Sequence, residues 1–342
     1  MEKRREINYG ICMMRLIYGV LIVCFHFHAS WDYYPGPYIF LREMPVAIFL
    51  LIAFYLGEPV LVGDNREKKL ARMKRLFVPY LFWGVISWIF NLVMEIILNL
   101  EDRVTLSDLF WQVATGCVEK VNPPMYFLWL AMLFTLFFII LFKVMDMRVV
   151  AVLLMIASFV CLWIEYDGRA TIFFRTLRYE IMYSAGRIYE LIPFAIFGIV
   201  IAMTHLVDQL KKHRALWCIL LTIVVPILLY FRDPLFPRTE QTLAFSGSAL
   251  FVVSPIIFLW MMILPFEKLP KVVKRFIETL SSYSMGVISI HWPLGMFINM
   301  AYKNLTGTEK TLTMCFIIYL VSWIISFLIG LIPGKLSKML VK

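Results

Sequence analysis

Charge is what this sequence has least of. Asp, Glu, Lys and Arg make up 16% of its 342 residues, against about 25% in an ordinary soluble chain. No polar stretch is long enough to fold as a separate soluble domain, so the sequence reads as one integrated domain over residues 1–342. Six cysteines (Cys12, Cys24, Cys117, Cys161, Cys218, Cys315) are scattered with no CxxC spacing, which excludes a disulfide framework and a cysteine zinc site. An internal repeat of the kind found in many secondary transporters is also missing. What remains is 61% hydrophobic residues in long apolar runs. The fold class that follows is all-α, a polytopic membrane helix bundle.

A helical span needs about 20 apolar residues. Ten segments qualify, at about 10–29, 38–62, 76–99, 124–142, 147–164, 188–204, 215–231, 244–264, 281–301 and 313–333. The first resembles a signal peptide, but the embedded Arg15 and the bulky His28-Ala-Ser-Trp31 end point to a retained helix. If the N-terminus is inside, twenty-one of the 33 Lys and Arg fall on the inner side and eleven on the outer, with Arg15 inside a span. The excess of basic residues on inner loops places both termini in the cytoplasm. The net charge of +10 is dispersed among short loops. That pattern sets topology and meets anionic lipid or an anionic cofactor rather than nucleic acid.

Ionisable residues inside a span are costly and mark working sites. Arg15 and His26 are eleven residues apart in the first span, which returns to nearly the same helix face roughly 16 Å along the axis. The inferred topology puts Arg15 toward the inner leaflet and His26 toward the outer one. His26 is either a core histidine or a general base that accepts a hydroxyl proton. His28 points about 200° away and cannot share that face. The inner loop 63–75 is the most basic stretch, and Arg72 and Arg75 stand one turn apart. It is either a topology signal or a phosphate cradle. Glu119 in an outer loop, Tyr126 at a span start, and Arg187 with Glu190 at the opening of the sixth span are candidate substrate or supporting residues. In the ninth span, Tyr283 and His291 stand among the serines of a run from Leu280 to Leu294. His291 is too distant in sequence to be set against His26.

Several of these pieces resemble the membrane-bound acyltransferase-3 family, bacterial integral membrane O-acyltransferases that modify surface glycans. The Arg15-x10-His26 spacing is similar to its first-helix signature, and Arg72-Met-Lys-Arg75-Leu-Phe-Val-Pro79-Tyr80 to its Arg-x-x-Arg motif. Arg187-Ile-Tyr-Glu190 through Gly198, and Ser282-Tyr-Ser-Met-Gly286 with Ile290-His291-Trp-Pro293, resemble two further blocks. The likeness covers about residues 8–335. Departures fall at Phe49–Gly57 and at Tyr126-Phe127-Leu128. The resemblance implies an enzyme of the bacterial plasma membrane that uses acetyl-CoA or another acyl-CoA as co-substrate, without a metal. It implies a cell-surface glycan or lipid-linked saccharide as acceptor, His26 and Arg15 as catalytic residues, and Arg72 and Arg75 as CoA-binding residues. A transporter or flippase for a polar substrate, with Arg15 and His26 lining its path, is the alternative from another class.

Overall fold

The computed structural model describes residues 7–27, 44–97, 99, 103–116, 121–166, 179–231, 248–307 and 311–342, and all its regular elements are helical. In chain order they are α1 (Tyr9–Phe27), α2 (Pro45–Val62), α3 (Arg66–Ile97), α4 (Leu106–Thr115), α5 (Tyr126–Val144), α6 (Met147–Tyr166) and α7 (Tyr179–Met203). Next come α8 (Leu206–Lys212), α9 (Arg214–Tyr230), α10 (Ser248–Ile263), α11 (Lys271–Ser281), α12 (Ser284–Thr306), α13 (Leu312–Leu331) and α14 (Lys335–Val341). Short 3₁₀ turns precede α5 (Pro123–Met125) and α11 (Phe266–Lys268).

Local chemistry sets many of the ends. Asn8 and Asn65 side chains accept from the backbone N–H groups of Ile11 and Lys68, capping α1 and α3. Thr105 and Asp108 form a reciprocal capping box at α4, and Thr311 caps α13. Gly116 and Gly307 close α4 and α12 in the left-handed conformation at φ 70°, where a side chain would be strained.

Helices lie on all ten apolar segments. Seven of the described helices are long and apolar enough to cross a membrane, or eight if the α8–α9 pair, bent by 108°, is one span. The chain is a multi-pass membrane protein. α12 is long enough, but Ser284, Ser289, His291, Asn299 and Asn304 lower its apolarity. The expectation of an inner loop at 63–75 is corrected: only Gly63–Asn65 is non-helical, and the basic run forms the first turns of the 32-residue α3. Lys, Glu, Arg, Leu and Met are good helix formers, and a capping Asn65 starts the helix early. At 1.5 Å per residue α3 spans roughly 48 Å, more than the hydrocarbon core, so its basic start projects beyond the bilayer.

The bundle is apolar outside, and its apolar core encloses a smaller set of buried polar groups. Leu216, Ile219, Ile223 and Ile227 form an exposed stripe at helical spacing on α9, and Val85, Ile89, Val93 and Ile96 do the same on α3. Lipid satisfies such faces. Ser87, Asn122, Thr135, Ser254, Ser289 and His291 are fully buried. At the centre, α2 buries residues on every side, and its longest partner is α7. Gly198 lets these two backbones meet, since a Cβ there would stand 2.6 Å from the Leu51 carbonyl oxygen and 3.0 Å from the Tyr55 nitrogen. Backbone cannot swing aside as a side chain can. Gly198→Ala should therefore cost about 1–3 kcal/mol, read as a lower thermal midpoint of the purified protein in detergent.

Candidate functional site

The end of α1 lies against the middle of α12. Phe27 rests on Gly295, at a position where any Cβ would collide with the Phe27 ring. Phe27 also packs on Trp292 with ring centroids 5.5 Å apart. That seat carries His26 with it. The His26 ring is 5.3 Å from the His291 ring and 5.4 Å from Trp292, the latter edge-on. The structure thus joins two imidazoles that are 265 residues apart in sequence. His26 is half-buried and His291 fully buried.

His291 has a defined tautomer. Its Nδ1 lies 2.9 Å from the Val287 carbonyl oxygen, which can only accept, so Nδ1 donates and Nε2 carries the lone pair. Nε2 is buried and meets no hydrogen-bond partner among the described residues. By axial rise, His291 lies about 10 Å from the start of α12 and about 22 Å from its far end. His26, at the end of α1, therefore stands level with a point about 10 Å along α12.

Arg15 shares the continuous helix α1 with His26, half-buried. Among the described residues it makes no hydrogen bond or ion pair, a costly state for a guanidinium within a span. Arg72 differs. Its Nε donates to Thr135 Oγ1 at 3.3 Å and one terminal nitrogen to the Ala53 carbonyl at 3.1 Å. Its guanidinium stands 5.3 Å from the centre of the Phe54 ring, above Gly57, where a Cβ would overlap it. Arg72 thus turns inward to tie α3 to α2 and α5. Arg75, one turn on, is exposed beside exposed Lys74. The two arginines present different faces to the same end of α3.

A second group forms where α5 meets α7. Arg187 pairs with the buried Glu190 at 3.1 Å and lies 5.5 Å from the centre of the Tyr126 ring. Tyr126 opens α5 directly after the turn Asn122-Pro123-Pro124-Met125. Asn122, which no sequence argument singled out, is fully buried. Its Nδ2 donates to Ser87 Oγ at 2.7 Å and to the Ser289 carbonyl at 3.1 Å. One short turn therefore reaches both α12 and the Arg187–Glu190 pair. An Asn beside two prolines at the mouth of a span was the available signal.

Tyr283 sits at the break between α11 and α12, about 12 Å along the axis from His291. It packs on Trp323 and Phe327 with Lys342 4.9 Å from its ring centre. Glu119 and His28 lie outside the described residues. No group of His, Cys, Asp and Glu suited to a metal occurs among the described residues.

Among the described residues the buried Glu190 has one cation facing it, Arg187. Arg187→Ala strands that carboxylate and should cost about 3–5 kcal/mol, whereas Arg187→Ala with Glu190→Leu should recover most of the loss. Thermal unfolding of the two variants checks this, and equal destabilisation in both would refute the pairing.

Compared with families of known proteins, residues 8–331 match the acyltransferase-3 model, described as an acyltransferase domain. No curated protein and no solved structure matches the chain.

Proposed function

The chain belongs to the acyltransferase-3 family, and from that premise we propose that it moves an acyl group, acetyl in the simplest case, from cytoplasmic acyl-CoA to a hydroxyl of an extracytoplasmic or lipid-linked carbohydrate. The plasma membrane of a bacterium is the proposed setting, with ten spans and both termini cytoplasmic. One observation carries the reading: a half-buried imidazole, His26, stands inside the bundle on the helix that also holds a guanidinium, Arg15, with no ion-pair partner among the described residues.

The chemistry is a simple acyl exchange. His26 takes the proton from the acceptor hydroxyl as its oxygen attacks the thioester carbonyl. The tetrahedral oxyanion collapses, the C–S bond breaks, and the departing CoA thiolate takes the proton from His26. No net proton or electron is consumed. CoA is polyanionic, and Arg75 with Lys74 at the exposed start of α3 suits its phosphates. Arg72, held on Thr135 and Ala53, orients that end of α3 and offers its remaining nitrogen to the donor. Arg15 supplies positive charge along the path between that rim and His26. Glu190, Arg187 and Tyr126, with Glu119, stand as the acceptor-side groups, and Tyr283 as a support for the start of α12.

His26→Ala should leave the protein inserted and abundant while lowering transfer by about 10²–10⁴-fold. Mass spectrometry of the ester content of the surface glycan, in cells with and without the variant, measures it. Wild-type ester content in His26→Ala cells would remove His26 as the base. A transporter, by contrast, would move its substrate without consuming acyl-CoA.

A further inference from the structure

Pro293 lies inside α12, two residues after His291. A proline has no N–H, so the carbonyl four residues earlier, that of Ser289, loses its helical donor. In a dry bundle such a carbonyl must be satisfied by something else. Asn122 does this, its Nδ2 lying 3.1 Å from the Ser289 oxygen. The same Nδ2 donates to Ser87 on α3, so the amide staples α3 to the proline break of α12. A carbonyl can only accept, which fixes the NH₂ end of Asn122 toward it. The amide oxygen is buried and meets no partner among the described residues. Among the described residues the site therefore uses the donor half of this side chain, and an apolar residue in its place would leave the Ser289 carbonyl without that donor.

From these contacts we infer that Asn122 is a positioning residue for the histidine pair: it supplies the hydrogen bond that Pro293 withholds and so sets the segment of α12 that carries His291 against His26. The inference rests on the reading of His26 as the base, because it assigns Asn122 a role in the rate through that ring. The chain of contacts is short. Asn122 holds Ser289, His291 follows within one turn, and its ring faces His26 at 5.3 Å. Loss of the staple lets that turn shift, and misplacement by about 1 Å costs about 100-fold in rate.

Proline makes the test specific. Pro293→Ala restores a backbone N–H to the Ser289 carbonyl, so Asn122 becomes dispensable in that background. Membrane vesicles from the producing cells, which carry the native acceptor, are fed acetyl-CoA, and kcat and KM for acetyl-CoA are read from release of the CoA thiol. Asn122→Ala should lower kcat about 100-fold with KM unchanged. Asn122→Leu, of nearly the same size with no donor, should do the same. In the Pro293→Ala background, Asn122→Ala should cost less than threefold. Equal losses in both backgrounds, or a wild-type kcat for Asn122→Ala, would overturn the inference. Thermal midpoints of the four purified proteins read the 122–293 coupling whatever the protein catalyses. Coupled midpoints with unchanged kcat would make Asn122 structural only and sink its positioning role. If His26→Ala vesicles release thiol normally, the base assignment has failed instead, and the midpoints tell the two failures apart.

Discussion

Inside a bilayer there is no water to satisfy a polar group, so each buried N–H, carbonyl and charge must find its partner in the protein. That constraint organises this bundle. Prolines interrupt α2, α3, α7, α9, α10 and α12, and each frees a carbonyl. Buried serines bond back to their own helices, as Ser289 does to Met285 and Ser326 to Ser322. Asn122 crosses between helices to meet the carbonyl freed by Pro293. Arg72 crosses to Thr135 and Ala53. The groups left over are few, and among the described residues Arg15 and His291 Nε2 are two of them.

The geometry joins features that look separate along the chain. Phe27 on Gly295 locks the end of α1 to α12, and this sets His26 beside His291 and Trp292. The turn at Asn122 leads straight into Tyr126, whose ring meets Arg187. The histidine pair and the buried Arg187–Glu190 ion pair are thus supported from one rigid segment containing two prolines. The ion pair is a poor source of net stability in itself, because desolvation offsets most of its attraction. Both residues lie on α7, and it is the contact of Arg187 with the Tyr126 ring that links the pair to the start of α5.

Much was legible in the sequence, for physical reasons. Apolar runs of span length left little freedom in where helices form, and helices occupy each expected segment. The eleven-residue separation of Arg15 and His26 needed only the helical period, and both lie on one unbroken helix. The segment 63–75, expected as an inner loop between two apolar spans, is helical from Arg66 onward. Charged side chains with long stems favour helix wherever water can reach them, and the bilayer edge is such a place. Arg72 and Arg75 looked like an equivalent pair in sequence. Only α2 and α5, packed on one side, divide them into an inward anchor and an exposed cation.

By itself, then, the sequence determined the all-helical membrane class, the family and the face of α1 that carries Arg15 and His26, because local period and hydropathy decide those. Tertiary structure alone decided that His291 stands against His26, that Asn122 answers Pro293, and that Arg72 points inward. These depend on which helices are neighbours. Such neighbours are chosen by close approach at Gly198 and Gly295 and by hydrogen bonds between distant residues, which leave no periodic trace along the chain.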